Sequence, residues 1–150
     1  MRKNFILLVT MMSFISAIEA QVKGNTLGVR GGGGGELSFE NAVGASNRLE
    51  WDLGLNNWDK NDNHSGFQLT GVYQWVYSLS QIAPGFNWYG GLGGTLGAYH
   101  SNFGLGLVGQ LGLEYNFTVP LQISLDWRPT LFNTYYTDYG SSGFAIRYRF

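Results

Sequence analysis

The chain has 150 residues, of which 23 are glycine, 16% are aromatic and 13% are charged, and it contains no cysteine. The absence of cysteine excludes disulfides, thiolate metal sites and a lipidated N-terminal cysteine, and a formal net charge of −1 provides no basic surface for nucleic acid. Glycine destabilises helices and aromatic residues favour strands, so the composition predicts an all-β domain.

Residues 1–20 are predicted to be a secretory signal peptide. Arg2 and Lys3 form a basic start, an apolar run follows, and the small residue Ala20 ends the segment. The apolar run is shorter than the roughly 20 residues that a transmembrane helix needs. We therefore expect this segment to be removed during export, which leaves residues 21–150 as one domain.

Eight later segments alternate between bulky apolar residues and polar or small ones, which is the pattern of strands with two different faces. Clusters of Gly, Asn, Asp, Ser or Pro bound each segment. Eight is an even number, so an antiparallel up-and-down barrel can close with both chain ends on one side. The predicted strands span residues 25–32, 35–41, 47–55, 66–77, 86–99, 104–117, 121–128 and 143–150.

The charged residues of these strands fall on one face and the bulky apolar residues on the other. In the last strand Phe144 and Ile146 share one face, whereas Arg147 shares the other with small residues. Charges of both signs suit an enclosed barrel interior, and an aromatic-rich apolar face suits a wall in contact with lipid. The predicted interior ion-pair network consists of Arg30, Glu36, Glu40, Arg48, Glu50, Asp52, Glu114, Asp126, Arg128, Arg147 and Arg149.

This network is expected to plug the barrel without leaving an open pore, because a barrel of eight strands is just wide enough to be filled by its own side chains. Small residues at inward positions would make room for the arginines and for Tyr89 and Tyr99. These small positions are Gly28, Gly91, Gly93, Gly97, Gly106 and Gly112.

The predicted connections also alternate in length. Long polar loops follow strands three and seven (Asn56–Ser65 and Asn133–Ser142), a medium loop follows strand five (His100–Phe103), and a glycine tip follows strand one. The connections after the even strands are mostly short. Longer extracellular loops and shorter periplasmic turns are typical of outer-membrane barrels.

The signal peptide, the eight amphipathic strands and the C-terminal sequence IRYRF (146–150) resemble the small bacterial outer-membrane β-barrels of the OmpA/OmpX type. The segments LTGVYQW (69–75), GLEYNF (112–117) and PLQISLDWRP (120–129) are similar to an uncharacterised barrel family of Bacteroidetes, which are Gram-negative. The resemblance implies a location in the outer membrane, among lipid and lipopolysaccharide. It also implies that the barrel-assembly machinery reads the C-terminal aromatic residue, here Phe150.

Two motifs that could bind a ligand are better interpreted as turns or loops. The glycine run at 31–35 is not followed by the Lys-Ser or Lys-Thr of a phosphate-binding loop, so it is predicted to be a hairpin tip. The oxygen-rich residues Asp59, Asn61, Asp62 and Asn63 lack the glycine and the closing glutamate of a calcium loop. We therefore expect no metal and no cofactor.

One triplet, His100-Ser101-Asn102, is superficially similar to the catalytic residues of lipid A deacylases of the outer membrane. Such a site needs the histidine and the serine on one face, whereas adjacent residues of a strand diverge. We therefore expect no catalytic residue and no enzyme activity.

Three classes of function remain open at this point. The first is a structural or interaction barrel, porin-like in its fold, whose loops meet an unknown extracellular partner. The second is a lipid-modifying enzyme that requires His100 and Ser101. The third is a soluble ligand-binding barrel, which would need an apolar interior and a polar exterior, opposite to the distribution of charge in this sequence.

Overall fold

The computed structural model describes residues 22–56, 66–99, 102–132 and 137–150. The predicted signal peptide lies outside the described residues. The described chain forms eight long strands and two short ones. They are β1 (Asn25–Gly31), β2 (Gly35–Ala42), β3 (Asn47–Asn56), β4 (Gly66–Ser78), β5 (Phe86–Tyr99), β6 (Asn102–Asn116), β7 (Leu121–Trp127), β8 (Thr130–Phe132), β9 (Thr137–Asp138) and β10 (Ser142–Arg149).

The strands form one closed antiparallel barrel. Each of β1 to β6 pairs with the next long strand along the chain, β7 pairs with β10, and β10 returns to β1. The predicted barrel of eight antiparallel strands is thereby confirmed. Closure matters because it leaves no unpaired strand edge along the wall. No helix in the described part of the chain is long and apolar enough to cross a membrane.

We call the end where β1 starts and β10 finishes the terminal end, and the opposite end the loop end. The strands are staggered around the ring, and the stagger sets their tilt and the width of the barrel. The stagger can be counted by following paired residues from strand to strand around the ring. A path that starts at Leu113 of β6 returns to β6 at Phe103, so the total stagger is ten residues. The path runs through Leu113, Leu125, Phe144, Gly31, Gly35, Leu55, Phe67, Ala98 and Phe103.

The hairpin between β5 and β6 differs from the prediction. A medium loop was expected at His100–Phe103, but β5 continues to Tyr99 and β6 starts at Asn102, with these two residues paired. Phe103 lies opposite Ala98 within the ladder and its side chain is exposed. The backbone pairing of two long neighbouring strands therefore extends through residues whose local composition suggested a loop.

The loop predicted at Asn133–Ser142 is also partly structured. The short strand β9 lies within it and pairs with β8, which continues the register of β7 along β6. Pro129 interrupts β7 and β8 because proline has no N–H for the ladder, although its carbonyl accepts a hydrogen bond from Gly109 N at 3.0 Å. The wall beside β6 is therefore continuous, although two residues separate the end of β7 from the start of β8.

The two faces of the wall differ as predicted. Most side chains on the inward parity are buried, among them most of the charged residues and the amides, whereas the apolar side chains on the other parity are exposed or half-buried. Leu107 is 70% exposed and Leu55 is 69% exposed, although both are large and apolar. Buried apolar residues are few, and Val76 and Tyr89 form a small cluster inside.

Candidate functional site

The barrel interior holds the charged residues, and all of the predicted network except Arg149 take part in ion pairs with N···O distances of 3.5 Å or less. Alternation along each strand points these side chains inward, and the closed ring removes them from bulk water. A buried charge that lost its partner would strongly destabilise the fold, so charged residues can occupy this interior only when they are paired.

The first layer of the network lies towards the loop end. Arg30 binds Asp126 with two parallel hydrogen bonds, from Nη2 to Oδ1 at 2.5 Å and from Nε to Oδ2 at 3.1 Å. Its Nη1 donates to Glu36 Oε2 at 2.8 Å. Arg128 also binds Glu36, since its Nη1 donates to Glu36 Oε2 at 3.3 Å. Its Nη2 donates to Asp52 Oδ2 at 2.5 Å. A bidentate contact, in which two nitrogens of a guanidinium donate to the two oxygens of one carboxylate, is the strongest geometry for such a pair.

The middle layer is centred on Glu50, whose side chain is fully buried. Its carboxylate accepts hydrogen bonds from Arg128, from Arg147 Nη2 at 3.1 Å, from Gln74 Nε2 at 2.8 Å and from Gln110 Nε2 at 3.1 Å. Four donors thus converge on one carboxylate, three from strands β4, β6 and β10 and one, Arg128, from the segment between β7 and β8. Because each donor comes from a different part of the wall, Glu50 ties opposite sides of the barrel together.

Arg147 is the other centre of this layer and is fully buried as well. It donates from Nε to Ser38 Oγ at 2.9 Å and from Nη1 to Ser124 Oγ at 2.8 Å. Its Nη1 also lies 3.5 Å from Glu40 Oε1. All three nitrogens of the guanidinium therefore have partners, on strands β2, β3 and β7.

The layer nearest the terminal end surrounds Arg48. Its Nη2 lies 2.6 Å from Glu114 Oε2 and 3.2 Å from Glu40 Oε1, and its Nε donates to Gln74 Oε1 at 2.5 Å. The guanidinium carbon stands 4.9 Å from the ring centroid of Tyr89, which is a cation–π distance. Arg48 is therefore held by carboxylates, an amide and an aromatic face together.

Arg149 takes a different partner from the one its position suggested. Its Nη2 donates to the backbone carbonyls of Phe117 at 2.5 Å and Val119 at 3.0 Å. These carbonyls belong to the turn between β6 and β7 at the terminal end. Arg149 is the last residue of β10, so its side chain reaches the turn and fastens it to the end of the barrel.

Several interior residues were not predicted as part of the network. The amides Gln74 and Gln110 bind the central carboxylate, and Asn87 Nδ2 donates to Glu114 Oε1 at 2.9 Å. Their inward parity was visible in the sequence. Their partners were not, because a parity pattern does not say which side chains face one another across the barrel.

Two inward glycines lie beside large buried side chains. A Cβ atom at Gly112 would stand 2.5 Å from Tyr89 Oη, and a Cβ atom at Gly143 would stand 2.6 Å from Arg30 Nε. Gly112 was predicted to make room for an interior tyrosine, and the structure confirms that contact. Gly143 lies opposite Asp126, so its missing side chain lets Arg30 reach its carboxylate partner.

Other predicted features have mixed outcomes. The glycine run forms the hairpin tip between β1 and β2, where Gly31 pairs with Gly35, as predicted. The ring of Phe150 is exposed and stacks on Tyr148 at a centroid distance of 6.4 Å. His100, Ser101 and the oxygen-rich loop residues 59–63 lie outside the described residues.

The described residues include no group of three or more His, Cys, Asp or Glu side chains placed to hold a metal ion. The same residues leave no open pore through the barrel, because the three layers of ion pairs and amides cross its interior. Chemically, the arrangement stabilises a closed barrel from within.

Comparison with protein-family models, with curated proteins and with solved structures found no match for this chain. The resemblance to a Bacteroidetes family therefore stays a prediction from the sequence. The fold itself, a small eight-stranded antiparallel barrel with a charged and closed interior, is consistent with barrels of the OmpX type.

Proposed function

We propose that the protein is a small outer-membrane β-barrel with a structural or surface-interaction role. In this proposal residues 1–20 direct export, the barrel-assembly machinery recognises the C-terminal strand with Phe150, and lipid and lipopolysaccharide surround the wall. The loop end faces the exterior and offers its loops to a partner. The terminal end faces the periplasm.

The observation that carries the proposal is the character of the outer wall. No charged side chain whose position the structure describes lies on the outer face of a strand, whereas large apolar side chains there are exposed on every long strand. A monomeric soluble protein rarely exposes a continuous apolar surface of this extent. In lipid the same surface is favourable, whereas an Arg or Lys at mid-depth would cost roughly 2–4 kcal/mol.

Aromatic contacts at the terminal end support the same conclusion. Outward rings there form four neighbouring pairs with centroid distances between 4.6 and 6.4 Å. Aromatic girdles mark the level of the lipid headgroups in membrane barrels, because their rings suit an environment that is part apolar and part wet. The pairs are Tyr73–Trp75, Tyr77–Trp88, Tyr115–Phe117 and Tyr148–Phe150.

The two alternative functions receive less support. A soluble barrel that binds an apolar ligand would need an apolar interior, whereas the described interior is charged and filled. A lipid-modifying enzyme would depend on His100 and Ser101, which are adjacent in the chain. Adjacency in the chain works against the contact between base and nucleophile that such a site requires.

Location in the cell gives the first test. Expressed with its signal peptide in a Gram-negative host, the protein should be recovered with the outer membrane and should require detergent for extraction. Its migration on gels should change on boiling, because a closed barrel resists detergent until it is heated. Recovery as a soluble periplasmic protein would overturn the proposal.

The role of the triplet gives the second test. The variants His100→Ala and Ser101→Ala should fold as the parent does and should leave the lipid A profile of the host unchanged, as measured by mass spectrometry. A matched control is Asn102→Ala, the third residue of the same triplet. If the parent protein altered lipid A acylation and each of the first two variants separately abolished that change, the protein would be an enzyme.

A further inference from the structure

The interior is filled at its middle but opens into a cavity at the terminal end. The cavity has a volume of about 190 Å³. The segment before β1 forms one of its walls, since Val22 N donates to Ala45 O at 2.8 Å and the Val22 side chain contacts the cluster of Val76 and Tyr89. Gly24 takes a φ of +75°, and a Cβ there would lie 2.5 Å from the Phe150 carbonyl oxygen, so glycine permits the turn from this wall into β1.

The lining of the cavity carries charged side chains of both signs. Lys23, Arg48 and Arg149 supply three cationic groups, and Glu40 and Glu114 supply two carboxylates. Amides, a hydroxyl, Ala42 and Val22 complete the surface, to which apolar atoms contribute about as much area as polar atoms. An environment of this kind favours a polar molecule over an apolar one.

Some side-chain atoms of the lining residues make no hydrogen bond within the described part of the chain. Glu40 Oε1, Gln122 Oε1 and Arg149 Nε are buried atoms with no hydrogen-bond partner among the described residues. Arg48 Nη2 contacts two carboxylates, yet neither contact has hydrogen-bond geometry. These atoms belong to four residues of the same cavity, on strands β2, β3, β7 and β10. Glu40 Oε1 and Arg48 Nη2 form an ion pair with each other at 3.2 Å, so opposite charges lie side by side in the lining.

We propose that this cavity binds a small zwitterion, a molecule that carries an ammonium and a carboxylate a few bonds apart, as a free α-amino acid does. A simple anion would lie close to Glu40 and Glu114, and a simple cation would lie close to Arg48, Arg149 and Lys23. Like charges brought together out of water repel by several kcal/mol. A zwitterion presents each of its groups to the opposite charge.

The size of the cavity agrees with this class of ligand. A protein cavity of about 150 Å³ accommodates a molecule as large as benzene, which has six heavy atoms. Glycine and alanine have five and six heavy atoms. The site depends on the barrel interior alone, so it does not require the outer wall to be in lipid.

The experiment is a saturation-transfer NMR titration of the folded mature chain in detergent micelles. Glycine and alanine are the probes, and acetate and methylammonium, which each carry one half of the zwitterion, are the comparison ligands. We expect a dissociation constant of about 1 mM for the amino acids and at least tenfold weaker binding of each half. Equal binding of acetate or methylammonium would overturn the zwitterion class, and no binding of any probe would mean that the cavity holds water only.

Two variants locate the binding. Ala42→Leu should fill the cavity without removing a charge and should weaken amino-acid binding at least tenfold, roughly 1.4 kcal/mol or more. Ala45→Leu, the same substitution at an exposed turn position, should leave binding within about twofold. A second variant, Lys23→Ala, changes an exposed residue outside the strands and should weaken binding severalfold. It tests the site independently if Ala42→Leu fails to fold. Unchanged binding in folded Ala42→Leu would place the ligand elsewhere and overturn the site.

Discussion

Replacement of Arg147 by leucine should lower the free energy of unfolding by about 3–5 kcal/mol, the range measured when one partner of a buried ion pair is removed. The guanidinium binds Glu50 at 3.1 Å and two serine hydroxyls, and it lies 3.5 Å from Glu40. Leucine at this position would leave the buried carboxylates of Glu50 and Glu40 with one cation fewer, where bulk water does not reach them. Urea titration in detergent micelles, followed by the change in gel migration on unfolding, measures the effect.

Arg149→Leu is the matched control for this variant. Arg149 lies two residues further along the same strand on the same face, but its guanidinium donates to backbone carbonyls near the end of the barrel. Loss of such hydrogen bonds should cost about 0.5–3 kcal/mol, less than the loss of Arg147. Equal stability of Arg147→Leu and the parent would show that Arg147 faces water, and the assignment of inner and outer faces would then have to be reversed.

Replacement of Gly112 by alanine should lower the free energy of unfolding by about 1–3 kcal/mol, as is usual for an overfilled core. The added methyl group would stand 2.5 Å from Oη and 2.8 Å from Cε1 of Tyr89. The tyrosine ring is fully buried and neighbours the Arg48 guanidinium, so it cannot move without disturbing the terminal-end layer. The same urea titration measures the change.

Gly109→Ala controls for the general effect of adding a methyl group to β6. Gly109 lies on the same strand but on the outer face, where the nearest atom to its added Cβ is Pro129 Cγ at 3.5 Å, an ordinary contact. Its stability should equal or exceed that of the parent, because alanine lowers the entropy of the unfolded chain. In the background of Tyr89→Val, the same Gly112→Ala change should cost less stability than it does beside the tyrosine. If the two alanine variants were equally stable, the close approach of Tyr89 to Gly112 would be wrong.

The fold follows to a large extent from local alternation in the sequence. Side chains of a strand alternate between two faces, so the parity of Glu50 or Arg128 relative to neighbouring apolar residues was enough to assign them to the interior. The turns were predictable where composition is decisive, as in the glycine tip between β1 and β2. Composition failed at Phe103, where pairing with β5 continues the strand.

The candidate site was predictable as a set of residues but not as a set of contacts. Arg30 and Asp126 are 96 positions apart in the chain, yet they form the two-fold ion pair of the first layer. Nothing local in the sequence distinguishes that carboxylate from Glu40 or Glu114 as a partner. The missing information is the stagger of the strands around the ring, which decides which inward residues lie at the same height.

The sequence by itself determined the class of fold, the number of long strands and the division of residues between the two faces, because these depend on the period of two along each strand. Only the tertiary structure decided that Glu50 collects four donors from different parts of the wall, that Arg149 fastens a turn instead of joining a carboxylate, and that a cavity with charged lining remains at the terminal end. Those outcomes depend on register, closure and the reach of long side chains across the barrel. All three are properties of the assembled ring and of no single strand.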